Sequence, residues 1–329
     1  MSMKTMLLLA FVVANPAISI CQPCDSGRLD ARVEKTLQTV LSDLTSPHTS
    51  VEQTRDVKIE PGGTFSEADV ERIKITADSV PLHIYNANHG HNLPIIISYH
   101  PGGFVTPLLR FMEYDMWRQS KIYNAVVFAV DYRIAPEHKF PAAVNDSFNT
   151  FKWVLENAHR YGGNIKQVMV LGSSAGGNLA AVVCQKAKQQ GLGKNIKLQV
   201  LICPSTDNPL NNKKHPSYDQ YQLGYFLTKE FCLYYIGVYA PGVSKDNPEV
   251  APLYGKNLDG LPPAVIITAE FDVLRDEAYD YSMRLKKSGV DVQYKCFPGQ
   301  IHCLLGLPKD SDELKQVDHL IVRAMSKYL

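Results

Sequence analysis

The chain has almost no excess of charge of either sign. Its 329 residues include 34 Lys and Arg against 33 Asp and Glu, a formal net charge of +1, and no basic cluster stands out. We therefore expect no nucleic-acid partner. After the N-terminus, no apolar run approaches the roughly 20 residues needed to span a bilayer, and the sequence contains neither internal repeats nor low-complexity tracts. With 45% hydrophobic residues, the sequence predicts a folded globular protein of one large or two small domains.

The N-terminus has the pattern of a secretory signal peptide. Residues 1–4 carry one positive charge, residues 6–14 form a short apolar core, and small residues follow. This pattern predicts removal of residues 1–21, by cleavage near Ser19 or Cys21, and a secreted or secretory-lumen protein. The alternatives are a retained signal anchor and a lipid anchor on Cys21. The apolar core is short for a signal anchor, so cleavage is the preferred prediction.

Seven cysteines occur in the chain. In a secretory compartment one or two disulfides are expected, but the sequence assigns no pairing. The alternative is that Cys184, Cys203 and Cys296, all in apolar segments, are free buried thiols.

Apolar strand patterns alternate with helical patterns along most of the chain. This alternation predicts an α/β fold with a mostly parallel central sheet and helices on both faces. Strands are expected at 93–99, 125–130, 168–171, 198–202, 264–268 and 290–296, with a hairpin at 72–85 and helices at 29–43, 144–161, 276–288 and 313–328.

The stretch from 204 to 263 breaks this rhythm. It is rich in Asn, Pro and Tyr and contains an aromatic apolar segment at 225–239. We expect a single domain at 22–329, with a helical cap formed by the N-terminal segment at about 25–60 and by an insertion at about 205–250.

Residues 168–178, V-M-V-L-G-S-S-A-G-G-N, predict a buried strand, a sharp turn and a helix. The turn carries Ser174 between Gly172 and Gly176, the G-x-S-x-G pattern of a nucleophile elbow. Small neighbours are needed because side chains at the two glycines would collide across the turn. Ser174 would thus lie at a helix N-terminus, where negative charge is favoured.

A nucleophilic serine needs a base and a group that orients the base. Asp272 directly follows a predicted strand, and His302 lies in a turn after another, so both should lie at the carboxyl edge of the sheet with Ser174. Among the other histidines, His215 and His319 have polar, surface-like surroundings. The alternative for Asp272 is helix capping, for which Asp276 is the better placed residue.

An oxyanion hole is expected from a glycine-rich loop after an early strand. Residues 99–104, Y-H-P-G-G-F, follow such a strand, and the amides of Gly102 and Gly103 could approach a substrate oxygen closely. The amide of Ala175, which follows the nucleophile, would be the third donor.

At this point the chain resembles the hormone-sensitive lipase family of α/β-hydrolases. The segments that carry the resemblance occur in the order found in the family, and they lie at 100–103 (HPGG), 131–137 (DYRIAPE), 172–177 (GSSAGG), 261–263, 270–277 (EFDVLRDE) and 298–302 (PGxxH). The resemblance covers roughly residues 95–305. It implies the α/β-hydrolase fold and hydrolysis of short or medium acyl esters, with relatives that deacetylate small molecules.

The resemblance also assigns roles to single residues. It implies a catalytic triad and an oxyanion hole formed by Ser174 as nucleophile, Asp272, His302 as base, and the amides of Gly102, Gly103 and Ala175. Two departures are Pro101, which stands where the family has a glycine, and Ser173, which precedes the nucleophile. Arg133 and Glu137 are expected to form a structural ion network beneath the site.

The sequence therefore predicts a serine carboxylesterase that acts on small esters through an acyl-enzyme, with no cofactor and no metal. A non-catalytic small-molecule receptor on the same fold, a small-molecule deacetylase and a lipase are the alternatives. The sequence does not indicate the oligomeric state.

Overall fold

The core of the protein is an eight-stranded sheet with the order β1-β2-β4-β3-β5-β6-β7-β8. In this computed structural model, residues 24, 26–39, 50–56, 59, 63–75 and 80–329 are described. The strands, in chain order, are β1 Val70–Ile75, β2 Val80–Tyr85, β3 Leu93–Tyr99, β4 Val126–Val130, β5 Gly163–Ser173, β6 Ile196–Ile202, β7 Ala264–Phe271 and β8 Val292–Ile301. From β4 to β8 in the sheet order all neighbours are parallel, and only β1–β2 and β2–β4 are antiparallel.

Helices cover both faces of the sheet, as the alternating pattern predicts. The long helices are α3 Arg110–Ile122, α4 Ala142–Asn157, α5 Ala175–Gln189, α8 Arg275–Lys287 and α9 Asp312–Tyr328. One apolar cluster contains buried residues of α4, α5 and α8, and a second contains those of α3 and α9. Every residue of β4 and β7 is buried. The sequence of β4 is accordingly apolar throughout, whereas β7 also buries Thr268 and Glu270. The predicted fold class is confirmed.

Four shorter helices lie outside this frame. They are α1 Ala31–Thr39, α2 Val51–Arg55, α6 Ser217–Gln220 and α7 Lys229–Tyr239. The buried residues of α1, Val33 and Leu37, pack in the same cluster as α9, against the body of the protein. By contrast, α2 and α7 contribute Thr54 and Tyr235 to the lining of a cavity at the sheet edge. The domain and cap boundaries remain predictions, and residues 1–23, including the expected signal peptide, lie outside the described part.

Two elements differ from the sequence expectation. Helix α3 was not predicted, because the residues that it buries include Glu113 and Ser120 as well as Met112 and Met116, so no clean apolar stripe marks it. Strand β8 continues to Ile301, five residues beyond the predicted end. It passes Pro298 and Gly299 through an irregularity in its pairing with β7.

The first described residues of the chain are attached to strands β7 and β8, at one edge of the sheet. Cys24 forms a disulfide with Cys296 of β8. Glu270 accepts hydrogen bonds from the backbone N–H groups of Ser26, Gly27 and Gly299, at 2.9, 2.9 and 2.7 Å. One disulfide is therefore present, as expected, and the alternative of a free thiol is wrong for Cys296, whereas Cys184 and Cys203 are free and buried. In the described part of the chain, no helix is long and apolar enough to cross a membrane.

Candidate active site

Ser174 lies at the predicted turn between a strand and a helix. Strand β5 ends at Ser173, helix α5 begins at Ala175, and Ser174 between them has φ 54° and ψ −120°. A non-glycine residue with positive φ is strained, and such residues concentrate at functional sites. A Cβ on Gly172 would lie 2.1 Å from the carbonyl oxygen of Gly176, so the turn can close only without side chains there.

Asp272 and His302 meet as the sequence predicts. Asp272 directly follows β7, and His302 directly follows β8. Their Oδ2 and Nδ1 atoms are 2.8 Å apart, and both side chains are almost fully buried. The other carboxylate oxygen, Oδ1, accepts the backbone N–H of Leu274 at 3.0 Å, which fixes the orientation of the carboxylate. Asp272 thus holds the imidazole, and the alternative role of a simple helix cap does not describe its contacts.

His302 and Ser174 line the same cavity. Within the described part of the chain, however, no hydrogen bond joins Ser174 Oγ to the imidazole. Catalytic hydrogen bonds in enzymes without substrate are often long and tighten only in the substrate complex. The placement is therefore compatible with His302 as a base for Ser174.

The pKa of His302 is set by opposing effects. Burial of the ring lowers the pKa, but the negative charge of Asp272 and the neighbouring Cys303 outweigh this effect. As a result, the pKa of His302 is raised well above its usual value. The neutral form that a general base requires is thus favoured at higher pH.

Three backbone N–H groups are available near Ser174. Gly102 and Gly103 line the cavity with Ser174 and Ala175, and their φ angles are 129° and 58°. These positive angles favour glycine, because side chains with a Cβ rarely adopt them. Among the described residues, no carbonyl or side chain accepts a hydrogen bond from the N–H of Gly102, Gly103 or Ala175. They can therefore serve as donors to a substrate oxygen.

Arg133 and Glu137 both form ion pairs, as the sequence predicts. Arg133 pairs with Asp146 at 2.8 Å, and Glu137 pairs with Arg55 of α2 at 2.7 Å. Arg55 also donates to the carbonyl oxygens of Val105 and Ala135. The contacts of Arg55 with Glu137 and with the carbonyl oxygen of Val105 connect α2 to the loop that follows the glycines.

The cavity has a volume of about 170 Å³ and a largely apolar wall. Residues of α3 and of the loop before it, which the sequence analysis missed, form part of it, as do α7 and the segment before α7. These residues are Leu109, Phe111, Met112, Phe226, Leu227, Phe231, Cys232, Tyr235 and Ile236. No Asp, Glu, Lys or Arg is among the described residues that line the cavity. Its chemistry fits an uncharged, apolar ligand.

Two cysteines beside His302 were also missed as site residues. The backbone N–H of Cys303 donates to Cys203 Sγ at 3.1 Å, and both thiols lie close to the His302 ring. Contact with Cys203 and the charge of His302 lower the pKa of the Cys303 thiol to about 6, although burial opposes this shift. The signal that could have found Cys303 is its position directly after the predicted base.

A second histidine–aspartate pair lies outside the cavity. His215 was expected in surface-like surroundings, but it is buried, and its Nε2 is 2.9 Å from Asp207 Oδ2. Neither residue lines the cavity that contains Ser174. We therefore assign this pair a structural role.

Comparison with known proteins gives a consistent result. Residues 96–306 match a protein family described as alpha/beta hydrolase fold. The chain is similar to an arylesterase of Saccharolobus solfataricus, with 32% identity over 78% of this chain and 83% of that protein. It is 35% identical to the carboxylesterase NlhH of Mycobacterium tuberculosis over 64% of this chain and 66% of that protein. A Pyrobaculum calidifontis esterase structure superimposes with a TM-score of 0.79 at 31% identity, covering 91% of this chain and 98% of that one.

Proposed function

This chain belongs to the hormone-sensitive-lipase-like family of α/β-hydrolases and is a carboxylic ester hydrolase, and from that premise we propose that Ser174 is its nucleophile. The observation that carries the proposal is the Asp272–His302 pair, whose imidazole lines the same cavity as the strained Ser174 and the three backbone N–H groups described above. The receptor alternative is set aside by the esterase relatives.

The geometry supports a two-step reaction. Neutral His302 takes the proton from Ser174 Oγ, which attacks the carbonyl carbon of the ester, while the amides of Gly102, Gly103 and Ala175 hold the developing oxyanion. The His302 proton then passes to the departing alcohol, leaving an acyl group on Ser174. A water molecule that loses a proton to His302 releases the acid. Asp272 keeps the proton of the neutral ring on Nδ1 and stabilises the charged ring.

The substrate class follows from the cavity. Its wall is apolar and lacks charged side chains, so we expect uncharged esters rather than charged ones. Its volume of about 170 Å³ favours short- to medium-chain acyl groups over long ones. The similar protein from Saccharolobus is named an arylesterase, which supports aryl esters as test substrates.

The test compares Ser174→Ala with Ser173→Ala on p-nitrophenyl acetate, butyrate, octanoate and palmitate. Loss of the nucleophile should lower kcat on the order of 10⁴- to 10⁶-fold, whereas the neighbouring serine should keep turnover of the wild-type order. A fluorophosphonate probe should label the wild type and Ser173→Ala but not Ser174→Ala. Turnover by Ser174→Ala near the wild-type rate would contradict the assignment. Fastest hydrolysis of the palmitate ester would instead support the lipase alternative.

We also propose that the protein matures in the secretory pathway. The support is the Cys24–Cys296 disulfide, a bond that persists in oxidising compartments. Signal cleavage near Ser19 or Cys21 would leave Cys24 on the mature chain. Mass spectrometry of the protein recovered from a eukaryotic secretion host tests this. An intact N-terminus on an intracellular product would contradict it.

A further inference from the structure

Three metal-ligating side chains converge beside the proposed catalytic base. Cys203 follows strand β6, and Cys303 directly follows His302. One potential ligand atom from each of Cys203, His302 and Cys303 lies within 4.8 Å of the other two. Cys203 is 1% exposed, and Cys303 is partly exposed and lines the cavity, so the cluster is closed on one side and accessible on the other.

The ester hydrolysis proposed above uses neither of these thiols. Two sulfur atoms and one imidazole nitrogen form a ligand set that suits Zn²⁺, which binds cysteine and histidine in tetrahedral sites. We propose that Cys203, His302 and Cys303 form an inhibitory binding site for a thiophilic divalent cation such as Zn²⁺. Solvent in the cavity would supply the fourth ligand, on the side where Cys303 is open.

The contacts of His302 prepare it for such a role. Its Nδ1 is 2.8 Å from Asp272 Oδ2, so the nitrogen left for a cation is Nε2. Histidines that bind metals in proteins usually have the other ring nitrogen bonded to a carboxylate or carbonyl, which fixes the ring and strengthens it as a ligand. The same Asp272 contact that orients a base therefore also orients a metal ligand.

Inhibition follows from competition for one atom. Nε2 is the nitrogen that must accept the proton of Ser174, and a cation bound there occupies its lone pair. Hydrolysis would stop while the cation is bound and resume when a chelator removes it. This consequence rests on the proposed function of His302, whereas binding of the cation does not.

The experiment measures binding and inhibition separately, on tag-free protein that is kept under argon without reductant, so that the Cys24–Cys296 disulfide stays intact. Binding is measured with Cd²⁺ on Ser174→Ala, from the ultraviolet thiolate-to-cadmium absorption and from equilibrium dialysis. Inhibition is measured with Zn²⁺ on the wild type, with p-nitrophenyl butyrate as substrate and EDTA to reverse it. Cys203→Ser and Cys303→Ser test the ligands, and Cys232→Ser is the matched control, since Cys232 lines the same cavity but lies outside the cluster.

We expect one Cd²⁺ per chain, inhibition that EDTA reverses, and a loss of at least about tenfold in affinity in either ligand variant. Affinity in Cys232→Ser should equal that of the wild type. Cys203 is fully buried, so the Cys203→Ser variant could fail to fold; in that case the test uses Cys303→Ser, since Cys303 is partly exposed. Absence of Cd²⁺ binding, or equal Zn²⁺ inhibition of the wild type and Cys303→Ser, overturns the proposal. Cd²⁺ binding to Ser174→Ala is measured by absorption and does not depend on ester hydrolysis, so a failure of the esterase assignment leaves the binding result intact.

Discussion

Replacing Gly176 with alanine should push the turn that carries Ser174 away from the loop that carries Gly102 and Gly103. Gly176 is in the first turn of α5, two residues after Ser174. A Cβ built on it would lie 2.0 Å from the carbonyl oxygen of Tyr99 and 2.6 Å from that of His100. Tyr99 ends β3, and His100 follows it at the start of the loop that carries Gly102 and Gly103. The glycine is thus the point where the two halves of the proposed site touch.

The size of the effect can be worked out from these distances. Ordinary contact begins at 3.4 Å, so relieving the 2.0 Å approach requires a relative movement of about 1.4 Å. The obstacle is backbone on both sides, which cannot rotate away as a flexible side chain can. Misplacement of reacting groups by about 1 Å can lower rates about 100-fold. We therefore expect kcat/KM of Gly176→Ala to fall at least about 100-fold, with stability lower by about 1–3 kcal/mol.

The assay combines p-nitrophenyl butyrate hydrolysis with urea unfolding. Gly237→Ala is the matched control, because Gly237 is exposed in α7 and a Cβ there meets no atom within 4 Å. In a helix interior this control should gain up to about 1 kcal/mol of stability. If Gly176→Ala keeps wild-type kcat/KM and unfolds at the wild-type urea concentration, the close approach of the two segments is wrong.

Three further predictions concern the base, its orienting group and the disulfide. Burial lowers the pKa of His302, but Asp272 and Cys303 outweigh this effect, so we expect kcat/KM to rise with pH with a midpoint above the ordinary histidine range. Cys303→Ala should move the midpoint of the pH–rate profile down, and an unmoved midpoint would contradict this electrostatic account. Asp272→Asn should lower kcat about 10⁴-fold by favouring the wrong tautomer while circular dichroism stays native, and a loss under tenfold would argue against its role. Cys24→Ser should lower the free energy of unfolding in urea by about 2–5 kcal/mol, because the disulfide to Cys296 closes a loop of 272 residues. Equal stability of the wild type with and without reductant would contradict that estimate.

The central strands could be predicted because their continuous apolar runs are typical of buried strands. A strand buried on both faces favours apolar residues; β4 is apolar throughout, and β3 and β7 contain continuous apolar runs at 95–97 and 264–267. The helix α3 escaped prediction for the opposite reason. It buries Glu113, whose carboxylate accepts from Arg72 at 3.0 Å and lies 2.9 Å from His83 on the neighbouring strands. These partners are distant in sequence, so a buried charge there looks like a surface residue.

The predicted site residues share one property, since each directly follows a strand or lies in a glycine-rich turn. In a parallel sheet such positions meet at one edge, so order along the chain is enough to bring Asp272 to His302. The two cysteines show where this reasoning ends. Cys203 also follows a strand, β6, and by the same rule it belonged at this edge. It was treated as a buried apolar residue because a thiol packs like one. Strand-end position, applied to every residue type rather than to those with an expected role, would have found it.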